Sequence, residues 1–437
     1  MNAAPGDGTL DEESYARAAL TYLAEPADQG LNGLILAHGA PRTLEAIRSG
    51  RLPDSGRLPG PSGDIPKPQF RRRALQHSME RWRVRLDELP TSAEVIALRQ
   101  SGIRLICPGD PEWPEQLADL GLEQPYALWL RGSADLRFNC LHAVAVVGSR
   151  AATAYGSYVA AELAASVAAR GWAVVSGAAF GVDASAHRGA LGADGVTVAV
   201  LACGVDVPYP VGHTELLESI AAQGVIVSEW PPGRTVNRLR FLVRNRVIAA
   251  LATGTLVVEA GERSGAVNTA RHARDLGRRL MAVPGPVTSD QSAGCHRIIR
   301  DWQATLVTTA AEVIEHLSPV GATLEPTTGP APADNADPAD NADDADNADN
   351  AAQTGRAAPP RPKSSRRQRL RPPLDLDAMD LETTQVLDAV PGRGGMATTR
   401  IAQRAGVAPT TAVRCLATLA ASGFVERCDE GWRLSRA

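Results

Sequence analysis

Between residues 143 and 283, short runs of valine, alanine and leucine alternate with segments whose apolar residues recur at helical spacing. That alternation leaves few folds open to the chain. The apolar runs fall at 143–147, 173–175, 196–201, 225–228, 255–258 and 280–283. The helical segments fall at 158–169, 184–191, 215–222, 245–252 and 266–276. A run that is apolar at every position suits a strand covered on both faces, and helical crossovers make such strands parallel. The expected fold class is therefore α/β, a Rossmann-like doubly wound parallel sheet. Its ligands would bind beyond the C-terminal ends of the strands.

A chain of 437 residues has room for more than this one domain. Residues 1–102 read as a helical N-terminal domain, with helical spacing at 14–23 and 33–47 and a further helix starting near Arg71. A Pro/Gly-rich insertion at 52–69 interrupts it. Residues 103–317 hold the Rossmann-like domain. Residues 318–374 read as disordered linker: 334–349 carry seven acids and no base, and 356–371 carry seven bases and no acid. Residues 375–437 read as a winged helix, with helices at 379–390, 398–404 and 409–421 and a wing pairing 423–427 with 431–434.

The net charge of −4 averages over these opposed blocks and says nothing about partners. Lys67 and Lys363 are the only lysines, so the basic side is almost all arginine, whose planar fork suits phosphates and stacks on bases. No apolar run reaches membrane-spanning length, and the first residues do not resemble a secretory signal, so a cytoplasmic protein that does not engage the membrane is expected. The six cysteines are scattered, with no zinc spacing and no disulfide framework. No metal and no cofactor are expected.

Four strand-end loops carry candidate chemistry. Gly148-Ser149-Arg150 follows the first strand and reads equally as a phosphate cradle or as a tight strand-to-helix turn. Ser176 and Gly177 end the next strand; nearby, Asp183 is best read as a helix cap and His187 as a packing residue. Residues 230–258 hold Arg234, Arg238, Arg240, Arg244 and Arg246 and no acid, with Arg244-Asn245-Arg246 expected at a helix start. Ser264-Gly265 follows Glu259, whose role as a sugar contact, an arginine partner or a capping acid stays open on spacing. Together the loops indicate a polyphosphate ligand, either a nucleotide or a nucleic acid.

The choice between them comes from resemblance. The order Val146-Val147-Gly148-Ser149-Arg150, Ser176-Gly177-Ala178-Ala179-Phe180-Gly181-Val182-Asp183, Gly204-Val205-Asp206-Val207-Pro208-Tyr209-Pro210, Ser228-Glu229-Trp230-Pro231-Pro232-Gly233 and Arg244-Asn245-Arg246-Val247-Ile248-Ala249 resembles the DprA (Smf) DNA-processing family. So do residues 257–269 and Ala282-Val283-Pro284-Gly285. The resemblance spans about residues 103–317, and the flanking SAM-like helical domain and winged helix fit the same architecture. It implies a homodimer that binds single-stranded DNA, protects it, and loads the RecA recombinase during natural transformation (competence) or recombination. The implied DNA-binding residues are Gly148, Ser149, Arg150, Ser176, Gly177, Arg240, Arg244, Asn245, Arg246, Ser264 and Gly265, with no catalytic residue. The chain departs from the family pattern at Leu242, where proline is usual, at His213 and His296, which replace asparagines, and at Phe180, often a basic position. Phe180 reads either as a base-stacking side chain or as core.

Two other functions share these features. A nucleotide-processing enzyme cleaving the base–ribose bond would carry a Pro-Gly-Gly-x-Gly-Thr-x-x-Glu stretch, and here Glu259-Ala260-Gly261-Glu262-Arg263-Ser264-Gly265 stands instead. A transcription regulator would read duplex DNA through the winged helix. From Asp375 onward, however, eight acids balance seven arginines, and the presumed recognition helix offers only Arg414. The expected function is thus a non-catalytic single-stranded DNA-binding protein.

Overall fold

Three of the N-terminal helices start where the chain supplies a side-chain cap. Asp11 accepts from the Ser14 backbone N–H to open α1 (Glu12–Leu23), and Asp28 accepts from Gly30 and Leu31 to open α2 (Gln29–His38). The stretch expected to be helical over 33–47 is divided at Gly39. Its φ of +81° ends α2 before α3 (Ala40–Ser49) begins. Then come α4 (Pro68–Arg83) and α5 (Ser92–Gln100), the latter opened by a reciprocal Thr91–Glu94 capping box. This computed structural model describes residues 10–52, 68–318, 381–391, 395–421, 425–428 and 431–434. Most of the Pro/Gly-rich insertion, the charged linker after residue 318 and the side chains of residues 68–74 lie outside the described residues.

The central sheet follows: β1 (Ile103–Ile106), β2 (Leu128–Gly132), then α6 (Leu136–Cys140) and β3 (Ala143–Val147), α7 (Ala154–Ala168), β4 (Ala173–Ser176), α8 (Val182–Gly192), β5 (Thr197–Val200), α9 (Thr214–Gln223), β6 (Val225–Ser228), α10 (Arg238–Leu251), β7 (Gly254–Val257), α11 (Gly265–Asp275), β8 (Arg279–Ala282), α12 (Ala293–Trp302), β9 (Thr305–Leu306) and α13 (Ala310–Leu317). The strand order is β1-β2-β6-β5-β4-β3-β7-β8-β9. From β6 to β9 every pairing is parallel, as the apolar runs require. The sequence reading missed β1 and β2, which extend the β6 edge in antiparallel fashion.

Helices cover both faces. On one, Ala160, Leu163 and Val167 of α7 and Ala190 of α8 pack on Val144, Val146 and Val174. On the other, Val247, Ala250 and Leu251 of α10 and Ala266 and Ala270 of α11 pack on Ala143, Ala145 and Val147. A third cluster joins Ala18 of α1 and Val95 of α5 to Leu105, Trp129, Ala199 and Ile226, so the helical domain shares core with the sheet.

The C-terminal segment has the expected winged-helix form: α14 (Leu381–Ala389), α15 (Thr398–Ala405), α16 (Pro409–Ala421) and the antiparallel pair β10 (Val425–Cys428) and β11 (Gly431–Leu434). Val386, Ile401, Leu416 and Leu419 make its core. Glu382 of α14 pairs with Arg81 of α4 at 2.7 Å. Among the described residues no helix is long and apolar enough to cross a membrane.

Candidate functional site

The strand order reverses between β3 and β7, and in doubly wound folds the crevice beyond that point takes the ligand. Here the chain fills it. The Glu259 carboxylate is buried against the start of α7, accepting from Thr153 N at 2.9 Å and Thr153 Oγ1 at 2.6 Å. Thr153 is the N-cap of α7, so Glu259 stands where a helix N-terminus would otherwise hold a phosphate. Of the roles left open for Glu259, the structure selects the capping acid. Ser149 N donates to the Glu259 carbonyl at 2.7 Å, and any Cβ on Gly148 would press into Val182 and that carbonyl. Gly148 and Ser149 therefore build a tight turn, which leaves Arg150 exposed at its end.

Beside this turn lies the loop after β4. Ser176 is buried, its hydroxyl donating to Val146 O at 2.7 Å. Asp183 is not the helix cap that was expected; Gly181, at φ +77°, holds that position. Its carboxylate instead accepts from Gly177 N at 3.2 Å and Ala179 N at 3.4 Å, folding the loop back over the strand end. Burial raises the pKa of Asp183, opposed by the nearby charge of Arg244 and by those two N–H donors. His213 donates through Nδ1 to Ala178 O at 3.0 Å and holds Ala178 at φ +54°, a conformation alanine rarely adopts.

The basic segment is largely turned inward. Asn237 caps α10 by accepting from Arg240 N at 2.9 Å, so the helix starts at Arg238. Arg244-Asn245-Arg246 therefore lies about two turns inside it rather than at its start. Arg246 is buried in a two-pronged pair with Glu229, both contacts at 2.6 Å, and its Nε donates to Glu123 O. Arg244 is buried beneath the strand ends, donating to Gly177 O at 2.8 Å and to Val200 O. Burial pulls its pKa down to about 10, offset by Asp183, so it remains a cation at neutral pH. Its closeness explains Gly177, where any side chain would collide with the guanidinium. Arg240 pairs with Glu25 at 2.8 Å and Arg234 with Glu88, while Arg238 is exposed and makes no ion pair among the described residues. Asn245 donates to Gly265 O at 3.3 Å and to Asn268 Oδ1 at 3.2 Å, linking α10 to α11, whose N-cap is Ser264.

What remains open is a shallow depression over the ends of β4 and β5. Its floor is formed by the chain at 177–179 and 201–203, and its rim by Arg150, Phe180, Tyr209 and Phe241. The Arg150 guanidinium lies over the Phe241 ring, 4.6 Å from its centroid. Tyr209 leans on Phe241 with centroids 5.7 Å apart, and Phe180 packs edge-on to His213 at 4.5 Å. Phe180 is about half exposed, so it is a rim residue rather than core. Of the sequence candidates, Arg150 and Gly177 line this depression and Arg244 lies just beneath it. Ser176, Arg240, Asn245, Arg246, Ser264 and Gly265 do not line it. Phe241 and Tyr209 were missed. The available signal was an aromatic inside an arginine run, in a chain with only 4% aromatics. Exposed aromatics beside a cation suit unstacked bases joined by phosphates.

Comparison with known proteins identifies the family and the fold. Residues 104–318 match the family model described as DNA recombination-mediator protein A, and residues 383–429 match the IclR helix-turn-helix domain. The chain is 38% identical to a DNA processing protein DprA of Mycobacterium tuberculosis, over 98% of this chain and 96% of that protein. It is 40% identical to protein Smf of Escherichia coli, over 50% of this chain and 58% of that protein. The crystal structure of DNA processing protein A from Streptococcus pneumoniae superposes with a TM-score of 0.54 at 27% identity, covering 70% of this chain and 98% of that one.

Proposed function

Because the chain belongs to the DprA (Smf) family of DNA-processing proteins, we propose that it captures single-stranded DNA on the strand-end depression, without catalysing a reaction on it. The observation that carries this reading is the Arg150 guanidinium lying on half-exposed Phe241 beside the exposed rings of Phe180 and Tyr209. Every base has a face that can stack on Phe241, Tyr209 or Phe180, so the reading implies little sequence preference. Arg150 and Arg238 supply phosphate contacts, and buried Arg244 adds positive potential from below without touching the strand. Duplex DNA, with its bases already stacked, offers only its phosphates. In the same reading, the protein self-associates and hands the strand to the RecA recombinase in transformation or recombination, as the family resemblance implies. Base–ribose cleavage is disfavoured because Glu259, the acid of that loop, is engaged by Thr153.

Fluorescence anisotropy with labelled oligothymidine and a matched duplex, over a salt series, tests the proposal. The single strand should bind more tightly than the duplex. Phe241→Ala should weaken single-strand binding roughly tenfold with its salt dependence unchanged. Arg150→Ala should lower the slope of log affinity against log salt by about 0.7. Preference for duplex, or wild-type binding by both variants, would refute this site.

A further inference from the structure

The first turn of α10 lies at the surface. Arg238 and Leu242 are exposed and Phe241 is half-exposed, while Arg240 alone turns inward onto an acid. That acid, Glu25, belongs to the helical domain, just after α1. Its Oε1 accepts from Arg240 Nη2 at 2.8 Å and from both terminal nitrogens of Arg85 at 3.3 Å. Its Oε2 accepts from Arg240 Nε at 3.1 Å and from Trp230 Nε1 at 2.8 Å. The loop bearing it is held by Tyr126, whose hydroxyl donates to Glu25 O at 2.9 Å. One carboxylate thus joins the helical domain, the chain leaving β6 and the helix that carries Phe241.

We propose that Glu25 is a positioning residue of the DNA site: by gripping Arg240 it fixes the backbone on which Phe241 is carried, and so presents the Phe241 ring to the strand. This rests on the single-strand reading of the depression. Glu25 never touches DNA; it acts through Arg240, which is neighbour in sequence to Phe241. A second tie runs in parallel, since Arg234, on the loop entering α10, donates to Tyr22 O at 3.2 Å and pairs with Glu88. Burial alone would raise the Glu25 pKa, but Arg240 and Arg85 hold it well below the usual carboxylate range, so the grip persists at any pH used for DNA binding.

The test is a double-variant cycle on the full-length protein with labelled oligothymidine. Glu25→Gln keeps the shape and an acceptor for Trp230 but loses the charge. It should bind about fivefold more weakly with an unchanged salt slope, and adding it to Phe241→Ala should produce no further loss. A purely structural defect would instead multiply with Phe241→Ala in full, and that result, or wild-type binding by Glu25→Gln, overturns the proposal. Should Glu25→Gln fail to fold, Arg240→Leu serves in its place, with the same fivefold loss and the same lack of addition expected. A salt slope lowered by about 0.7 in Arg240→Leu would mark Arg240 as a phosphate contact and also overturn it. Wild-type binding by both Phe241→Ala and Arg150→Ala would instead remove the site on which the idea rests.

Discussion

His187 is wholly buried one turn into α8, with Nδ1 against Thr197 Oγ1 at 2.7 Å. The Thr197 hydroxyl already donates to Val174 O, so Nδ1 carries the proton and the ring is neutral. Burial, reinforced by the charge of Arg244, pulls its pKa down to about 3. In the unfolded chain the same ring titrates near 6.5, so as pH falls below about 6.5 the unfolded state takes up the proton first and the fold loses stability, down to about pH 3. At pH 5 the loss is about 2 kcal/mol. His187→Gln, which does not titrate, should show a smaller drop in urea stability between pH 7 and pH 5 than the native chain; an equal drop would refute the assignment. Single residues were only partly legible in the sequence. Gly148, Gly177 and Gly181 stood out as strand-end loop glycines, and at each the backbone, Val182 or a guanidinium comes too close for a side chain. Asp183 was read as a cap because its spacing fits one, yet the N–H groups it satisfies belong to the preceding loop.

At the scale of the element, α10 was the hardest to read. Its first two turns mix arginine with Leu239, Phe241 and Val243 without a clean apolar stripe, so only the buried second half announced a helix. The arginines looked like an exposed cation cluster because their partners are distant in sequence: Glu25 and Glu88 for Arg240 and Arg234. Glu229 was the exception. It sits immediately before the acid-free stretch, and it closes on Arg246 with only a few per cent of either side chain exposed. Replacing one member of such a buried pair leaves the other charge stranded. Glu229→Gln should therefore cost about 3–5 kcal/mol in urea unfolding. A loss under about 1 kcal/mol would show that Arg246 finds another partner. The strands of the doubly wound core were legible for the opposite reason: each is apolar throughout and needs no partner to declare itself.

At the scale of the whole molecule, residues 1–102 and 103–317 looked like separate domains because the helical spacing gives way to strand runs between them. The structure joins them through shared packing. Trp129 of β2 is buried among Ala18 of α1 and Val95 of α5, and its indole N–H donates to Thr21 Oγ1 at 3.2 Å. The antiparallel strands β1 and β2 escaped the sequence reading because Arg104 and Arg131 break their apolar runs. A fragment of residues 10–318 should melt in a single transition by both circular dichroism and tryptophan fluorescence. A fragment beginning at residue 103 should unfold at a lower urea concentration. Two resolved transitions in the longer fragment would show that the parts fold independently.

The carboxylate at the head of α7 also bears on how such a protein behaves among the small molecules of a cell. Free nucleotides are abundant anions, and in doubly wound sheets generally the head of such a helix is a berth for their phosphates. Here the berth has a permanent tenant of the same sign, Glu259. A lone nucleotide arriving there meets repulsion and a closed door. A polymer, held at several modest points along the outer rim, keeps its grip when any one of them lets go. The proposed capture of long strands on the rim leaves the head of α7 to the protein's own carboxylate.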